Sequence, residues 1–384
     1  MAAPLLPHPA ATAGGALVIF GELQALARRH EVTLVSFAGA SPADREGLET
    51  LGQLGVTVCP VWREPQRGAA VLQRRSNLAL RWIAGRKPLR ALKFHDPRVQ
   101  AALDDAARGG RFDLVHVEDS AMGQYRYPAG VPAVLTDQDV RAADAARSPE
   151  AGRWREYQHG VWARFDRIQV YTERDARAIR SIAPELGGRV RVNPFGVTLG
   201  PPPNPALQRE DELVFVGGFS HPPNVDAACW LAREIFPLVR AHRAGAHLTI
   251  VGADPPRAVR RLASDRVTVT GFVPDAGAFL DRAAVVVAPL RAGSGMRVKL
   301  LQALARGKAV VTTPLGAEGL AEDAPLRVAR TGAELAAAIT ALLTDPEARH
   351  ALGRRGREYV AEHHAWDRFA TRLAGIYREL GLET

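Results

Sequence analysis

At 384 residues the chain exceeds one ordinary core, and 47% hydrophobic against 24% charged residues is the balance of a soluble globular protein, which excludes a disordered one. The formal net charge of +9 suits phosphates or an anionic surface, yet Lys87, Lys93, Lys299 and Lys308 are the only lysines, so the excess reflects an arginine bias. No basic-aromatic stacking pattern accompanies it, which excludes nucleic acid, and no apolar run approaches the roughly 20 residues of a membrane helix.

In chain order, Met1–Pro9 is broken by prolines and lacks a basic segment, so it predicts no signal peptide, and a cytoplasmic protein is expected. Gly14-Gly15 opens a helix over Ala16–Arg29. Strands follow at Glu31–Phe37, Val56–Cys59, Asp113–Val117, Ala133–Leu135 and Ile168–Tyr171. Gly200-Pro201-Pro202-Pro203-Asn204-Pro205 is a stiff linker and the expected boundary between domains.

Beyond it, β-branched runs at Leu213–Val216, His247–Val251, Val267–Thr270, Ala284–Ala288 and Ala309–Thr313 alternate with helical patterns near 224–243, 255–264, 275–282 and 295–306. That alternation is the mark of parallel βαβ units and a doubly wound α/β sheet. Helices near 332–345 and 347–363 lead to Trp366 and a final amphipathic helix, Arg368–Leu380. Cys59 and Cys229 each lie in an apolar segment and read as buried free thiols, which excludes a disulfide and a cysteine metal site.

The most informative stretch runs from Gly293-Ser294-Gly295-Met296-Arg297-Val298-Lys299 to Gln302, and on through Gly307 into the strand at Ala309. It reads as a glycine loop, a short helix, a glycine stop and a buried strand. Two cations in a helix's first turn oppose the macrodipole at roughly 0.3–1 kcal/mol each, so an anion is expected to offset them. A diphosphate fits: Arg297 clamps phosphate oxygens bidentately, and Lys299 supplies a point charge. The plain alternative is a badly placed solvated pair.

Val214-Phe215-Val216-Gly217-Gly218, Pro222-Pro223-Asn224-Val225-Asp226, Val251-Gly252, Gly271-Phe272-Val273-Pro274-Asp275 and the Gly293–Leu320 block together resemble the retaining glycosyltransferases of family four, within glycosyl transferases group 1. The resemblance implies the α/β GT-B fold, two Rossmann-like doubly wound domains facing a cleft. An acceptor domain would cover 1–200, with residues 366–384 crossing back to it, and a donor domain 206–365. It further implies a nucleoside diphosphate sugar as co-substrate, a hydroxyl acceptor, retention, and no cofactor or obligatory metal. In such relatives a central strand precedes the first glycine loop; here Met1–Ala13 is short and proline-broken, so an incomplete first sheet, or a natural start upstream, is expected.

The same resemblance assigns further residues. Gly217 and Gly218 are expected at the donor; many relatives carry diphosphate cations just after this strand, where the chain reads Gly218-Phe219-Ser220-His221-Pro222-Pro223, which puts more weight on Arg297 and Lys299. Gln302 aligns with the second glutamate of a Glu-x7-Glu motif that binds the ribose, keeping one acceptor and losing the charge. Ser294 falls on the first, sugar-binding glutamate, and otherwise reads as an N-cap. Gly295 and Met296 would offer backbone amides to the sugar, and Gly271, Phe272 and Val273 would hold the nucleobase through the main chain. Glu318 is expected near the donor sugar. Gly14 and Gly15 would bring helix N–H groups to a phosphate or sugar oxygen.

His116, on a strand, is expected either as a catalytic residue lining the acceptor side or as a satisfied structural histidine. Glu118 and Asp119 at that strand's carboxyl end, with Asp137, Gln138 and Asp139 after the next, would line the acceptor side. Trp82, Arg86, Lys87, Arg90 and Lys93 mix cations with apolar residues and suit peripheral contact with an anionic membrane or a basic loop. The expected activity is transfer of a sugar to a hydroxyl of a natural product or envelope glycan. Because Ser294 and Gln302 replace both acids, the rival reading is a sugar-nucleotide-binding pseudoenzyme that regulates an active partner. A GT-B epimerase is disfavoured, since the loop lacks the acids and histidines such enzymes place around the sugar.

Overall fold

The computed structural model describes residues 1–11, 14–63, 69–143, 150–293 and 297–382. It divides into two compact units, Met1–Phe195 with Phe369–Thr384, and Gly196–Arg368. The expected α/β class is what the structure shows, with one parallel sheet in each unit.

The first unit holds seven strands: β1 (Ala2–Ala3), β2 (Thr33–Ala38), β3 (Thr57–Trp62), β4 (Val115–Glu118), β5 (Ala133–Thr136), β6 (Arg167–Val170) and β7 (Val190–Val192), in the order β3-β2-β1-β4-β5-β6-β7. The expectation of an incomplete sheet is corrected by β1. Ala2 pairs with Val35 on one side and Val117 on the other, so two buried alanines fill the centre of the sheet. The prolines after them end the strand without preventing it, because a parallel strand buried on both faces needs no alternating pattern. The first helix runs Gly14–Leu26, so both glycines lie inside its opening turn.

The C-terminal helix Trp366–Arg378 buries Phe369, Leu373, Ile376 and Tyr377 at helical spacing. Those residues belong to the first unit, where Asn193 donates to the Phe369 carbonyl. Glu379 closes the end with Arg191 and Arg167, at 2.7 and 2.8 Å, and hydrogen bonding from Arg191 and then Arg167 pulls its carboxyl down to about 2.

The second unit holds β8 (Glu212–Val216), β9 (His247–Val251), β10 (Val267–Val269), β11 (Val285–Ala288), β12 (Ala309–Thr312) and β13 (Arg327–Val328), in the order β10-β9-β8-β11-β12-β13. β11 and β12 are buried throughout, as expected of strands covered on both faces. The helix expected over 224–243 is three pieces: Pro222–Trp230, a wider π turn at Leu231–Ile235, and Phe236–His242. Pro237 explains the break, since it lacks an N–H and its ring collides with the carbonyl four residues back. The helix expected at 255–264 shortens to Arg257–Arg260 after the Pro255-Pro256 pair. Cys59 and Cys229 are free, and both are half-buried where full burial was expected.

Candidate functional site

In the second unit the loops after β8, β9, β10, β11 and β12 all leave the carboxyl ends of parallel strands, where open α/β sheets take ligands. The loop after β8 is drawn tight: the Gly217 N–H bonds the Val251 carbonyl at 2.9 Å, and Phe219 the Ala253 carbonyl at 3.1 Å. A Cβ on Gly252 would lie 2.0 Å from the Gly217 carbonyl oxygen, so only glycine permits this approach of two backbones. A Cβ on Gly217 would lie 2.9 Å from the Lys299 ammonium and 2.8 Å from Cγ of Asn224.

Lys299 therefore turns inward over the end of β8. Its Nζ donates to Asn224 Oδ1 at 2.6 Å and stands 4.9 Å from the Phe215 ring centroid. Asn224 in turn donates Nδ2 to the Gly218 carbonyl at 2.7 Å. Burial, reinforced by nearby Arg297, brings the Lys299 ammonium down to about 7. Arg297 is 9% exposed, and a Cβ on Gly293 would approach its guanidinium at 3.5 Å. Neither cation projects into solvent.

The helix bearing Lys299 is Val298–Ala305, with Arg297 as its N-cap residue and not, as expected, inside the first turn. Among the described residues no side chain caps this helix or Pro222–Trp230, and both begin beside the same loop. Two helix N-termini and two cations thus share one neighbourhood, a ready anion site. Gln302 is half-buried one turn on from Lys299. Ser294, Gly295 and Met296 lie outside the described residues. Gly271 follows β10 at φ 73°, and its carbonyl accepts from the Gly252 N–H at 3.2 Å and from Thr270 Oγ1 at 2.9 Å. Next to it Phe272 is 60% exposed and Val273 half-buried. After β12, Thr313 Oγ1 donates to the Leu290 carbonyl and accepts from the Gly316 N–H at 3.0 Å, tying two loops together; half-buried Glu318 follows directly. Asn224 is the functional candidate that sequence reasoning missed as such, though an amide two residues into a helix opened by Pro222 was a usable signal.

In the first unit, Gly15 lies under Gln138: a Cβ there would meet Gln138 Oε1 at 2.5 Å. Gln138 Nε2 donates to Glu118 Oε2 at 2.6 Å. Glu118 and Glu22 are both wholly buried. His116 lies between them, Nδ1 3.5 Å from Glu22 and 2.6 Å from the Tyr377 hydroxyl, Nε2 3.2 Å from Glu118 and 2.6 Å from Thr136 Oγ1. With both ring nitrogens engaged and 4% exposure, His116 sits inside the sheet, so its contacts are those of the structural alternative and not of a residue touching substrate. Burial and then the adjacent Glu118 push the Glu22 carboxyl well above its ordinary value, so Glu22 keeps its proton to higher pH than a free carboxyl does.

That proton has a consequence for stability. Above the unfolded value of 4.5 the folded chain keeps a proton that the unfolded chain has released, so this contribution is intact below 4.5 and is lost as pH rises through the raised folded value. Glu22→Gln keeps the shape and cannot ionise. Its melting temperature is expected to gain on that of the parent between pH 5 and 8; curves that stay parallel would show that Glu22 carries no extra proton.

The remaining predicted acceptor-side residues are mostly committed elsewhere. Asp137 accepts from Trp162 Nε1 at 2.7 Å and Gln158 Nε2 at 2.8 Å inside the core, and burial lifts its carboxyl to about 7. Asp119, at φ 74°, pairs with Arg90 and accepts from the Ala121 N–H at 2.8 Å. Asp139 pairs with Arg141 at 2.7 Å. Gln138, half-buried beside the Gly14–Gly15 turn, is left as the side chain placed at that helix start. The basic stretch is also largely engaged: Arg86 pairs with Glu156, Lys87 bonds Gln124, and Trp82 bonds Glu150. Exposed apolar residues of this region, Leu72, Leu80 and Ile83, lie on the helix Ala69–Ala84, which also carries Trp82. No described helix is long and apolar enough to cross a membrane.

Residues 210–345 match the family model of glycosyl transferases group 1. The fold is GT-B. Among curated proteins no sequence matches significantly. Solved GT-B structures match over nearly the whole chain. Sucrose-phosphate synthase from Thermosynechococcus elongatus is 17% identical, covering 99% of this chain and 98% of that one, with a TM-score of 0.72. Anabaena HepE in complex with UDP and glucose is 14% identical over 97% and 98% of the two chains, TM-score 0.70. WaaG, a glycosyltransferase involved in lipopolysaccharide biosynthesis, is 15% identical over 98% and 99%, TM-score 0.65. At these identities the likeness establishes the GT-B fold alone.

Proposed function

We propose that this GT-B chain transfers a sugar from a nucleoside diphosphate sugar, with UDP as the nucleotide, to a hydroxyl acceptor with retention of configuration and without a metal. One observation carries the reading: Arg297 and Lys299 converge on the Gly217–Asn224 loop between two helix N-termini that no described side chain caps. The match to glycosyl transferases group 1 and the UDP in the HepE complex support it.

In this reading the guanidinium and the ammonium hold the charge that gathers on the departing diphosphate, the part a metal plays in other transferases. The amide of Gln302 takes a ribose hydroxyl, and Phe272 and Val273 the base. The acceptor is assigned to the first unit through Gln138, with Glu118 and His116 positioning that amide. Incubating the protein with UDP-sugars and an acceptor panel and measuring UDP release tests the reading. The absence of both thermal stabilisation by any donor and turnover in any pairing would end it.

The pseudoenzyme reading draws on Gln302, a neutral amide where the resemblance expects a carboxylate. Gln302→Glu is expected to strengthen donor binding by about tenfold, since a charged acceptor adds on the order of 1 kcal/mol to each ribose bond. If transfer arises only in Gln302→Glu and never in the parent, the parent is a binder and not a transferase.

A further inference from the structure

A cavity of about 400 Å³ opens on the second unit, away from the loops described above. One wall is a single helical face, Ala232, Arg233, Phe236, Pro237 and Arg240; the other is Arg261, Leu262, Ser264, Arg266 and Val267. Arg266 and Val267 enter β10 at its amino end, whereas Gly271 leaves at its carboxyl end. Val267 and Gly271 are four residues apart along this run, a separation of about 13 Å where extended. The cavity is therefore distinct from the candidate diphosphate site.

Its lining joins an apolar floor to a basic rim. Phe236, Leu262 and Val267 are 2%, 9% and 6% exposed and form an apolar floor. Four arginines ring it. Arg266 stands 3.7 Å from Asp265, while Arg233, Arg240 and Arg261 have no ion-pair partner among the described residues. A basic rim of this kind favours an anion in the hollow. The π turn Leu231–Ile235, closed by the Phe236 N–H to the Leu231 carbonyl, widens the helix along the wall that carries Arg233 and Phe236. Such turns recur at binding sites.

We propose that this cavity is a second ligand site that binds a phosphorylated organic molecule, the arginines clamping the phosphate and the floor receiving its carbon body. A guanidinium fork matches phosphate oxygens in pairs. The phosphate arrives either on a soluble metabolite or on a lipid headgroup.

The experiment uses the full chain carrying Arg297→Ala and Lys299→Ala, which removes the candidate diphosphate contacts and keeps this proposal separate from the proposed transfer. Inorganic triphosphate is titrated calorimetrically, and phosphatidylglycerol vesicles are tested by co-sedimentation, each with and without Arg240→Ala/Arg261→Ala. Arg354→Ala/Arg355→Ala, an equally exposed pair elsewhere, controls for net charge. A tenfold or greater loss of triphosphate affinity confined to Arg240→Ala/Arg261→Ala supports a soluble ligand; a matching loss of vesicle binding supports a lipid headgroup. No saturable binding of either probe, or equal losses in the control pair, overturns the proposal.

Discussion

Arg297→Ala is expected to lower sugar transfer by about 10²–10³-fold, the usual effect of removing one preorganised donor to developing negative charge. The same substitution should hold or raise the melting temperature of the unliganded protein, because a cation at a helix N-terminus works against the macrodipole by roughly 0.3–1 kcal/mol. The opposite signs make the result diagnostic. A residue kept for folding would lower stability when removed and leave the donor-induced thermal shift in place. A residue kept for the diphosphate would lose that shift and spare the fold. Measuring melting curves with and without UDP, beside UDP release, separates the two, and an undiminished shift in Arg297→Ala would remove it from the phosphate.

The position of that arginine is legible in the sequence because its oddness is local: two cations beside glycines at a helix start contradict ordinary helix design. The strands of the second unit are legible for a related reason, since Val285–Ala288 and residues 309–311 are unbroken apolar runs that suit a doubly covered sheet. What stays hidden depends on partners distant in sequence. Ala2–Ala3 has no pattern of its own and becomes a strand only because Val35 and Val117 stand ready on either side. β13 is two exposed residues, Arg327 and Val328, held by pairing with β12. His116 reads from sequence with a structural and a catalytic role both open, and the partner that engages its ring, Tyr377, lies 261 positions later. Asp137 is visible as a polar group after a strand, but not the tryptophan that takes it into the core. Local chemistry announces itself; burial by remote segments does not.

Lys299 carries the second large expectation, a donor affinity that weakens as pH rises. In the unliganded protein its ammonium titrates at about 7, from burial first and Arg297 second, so at pH 8.5 most of the population is neutral amine. A bound diphosphate brings negative charge to the same atom and raises that value, so binding takes up a proton. Linkage then requires the donor dissociation constant to rise by about tenfold per pH unit above 7 until the bound-state value is reached, and to be flat below about 6.5. Calorimetry of UDP-glucose binding in buffers of differing ionisation enthalpy should register uptake approaching one proton at pH 8.5. Lys299→Arg, charged throughout this range, is expected to abolish the slope, while Lys299→Met loses it along with affinity. The stability of the unliganded chain runs the other way. From 7 to 10.5 the unfolded chain binds the proton that the folded chain sheds, so this group's contribution is present above 10.5 and is lost as pH falls through 7. Lys299→Met should accordingly raise the melting temperature more at pH 6.5 than at pH 9.5. A flat affinity profile with no proton uptake would mean that the buried amine never meets the diphosphate.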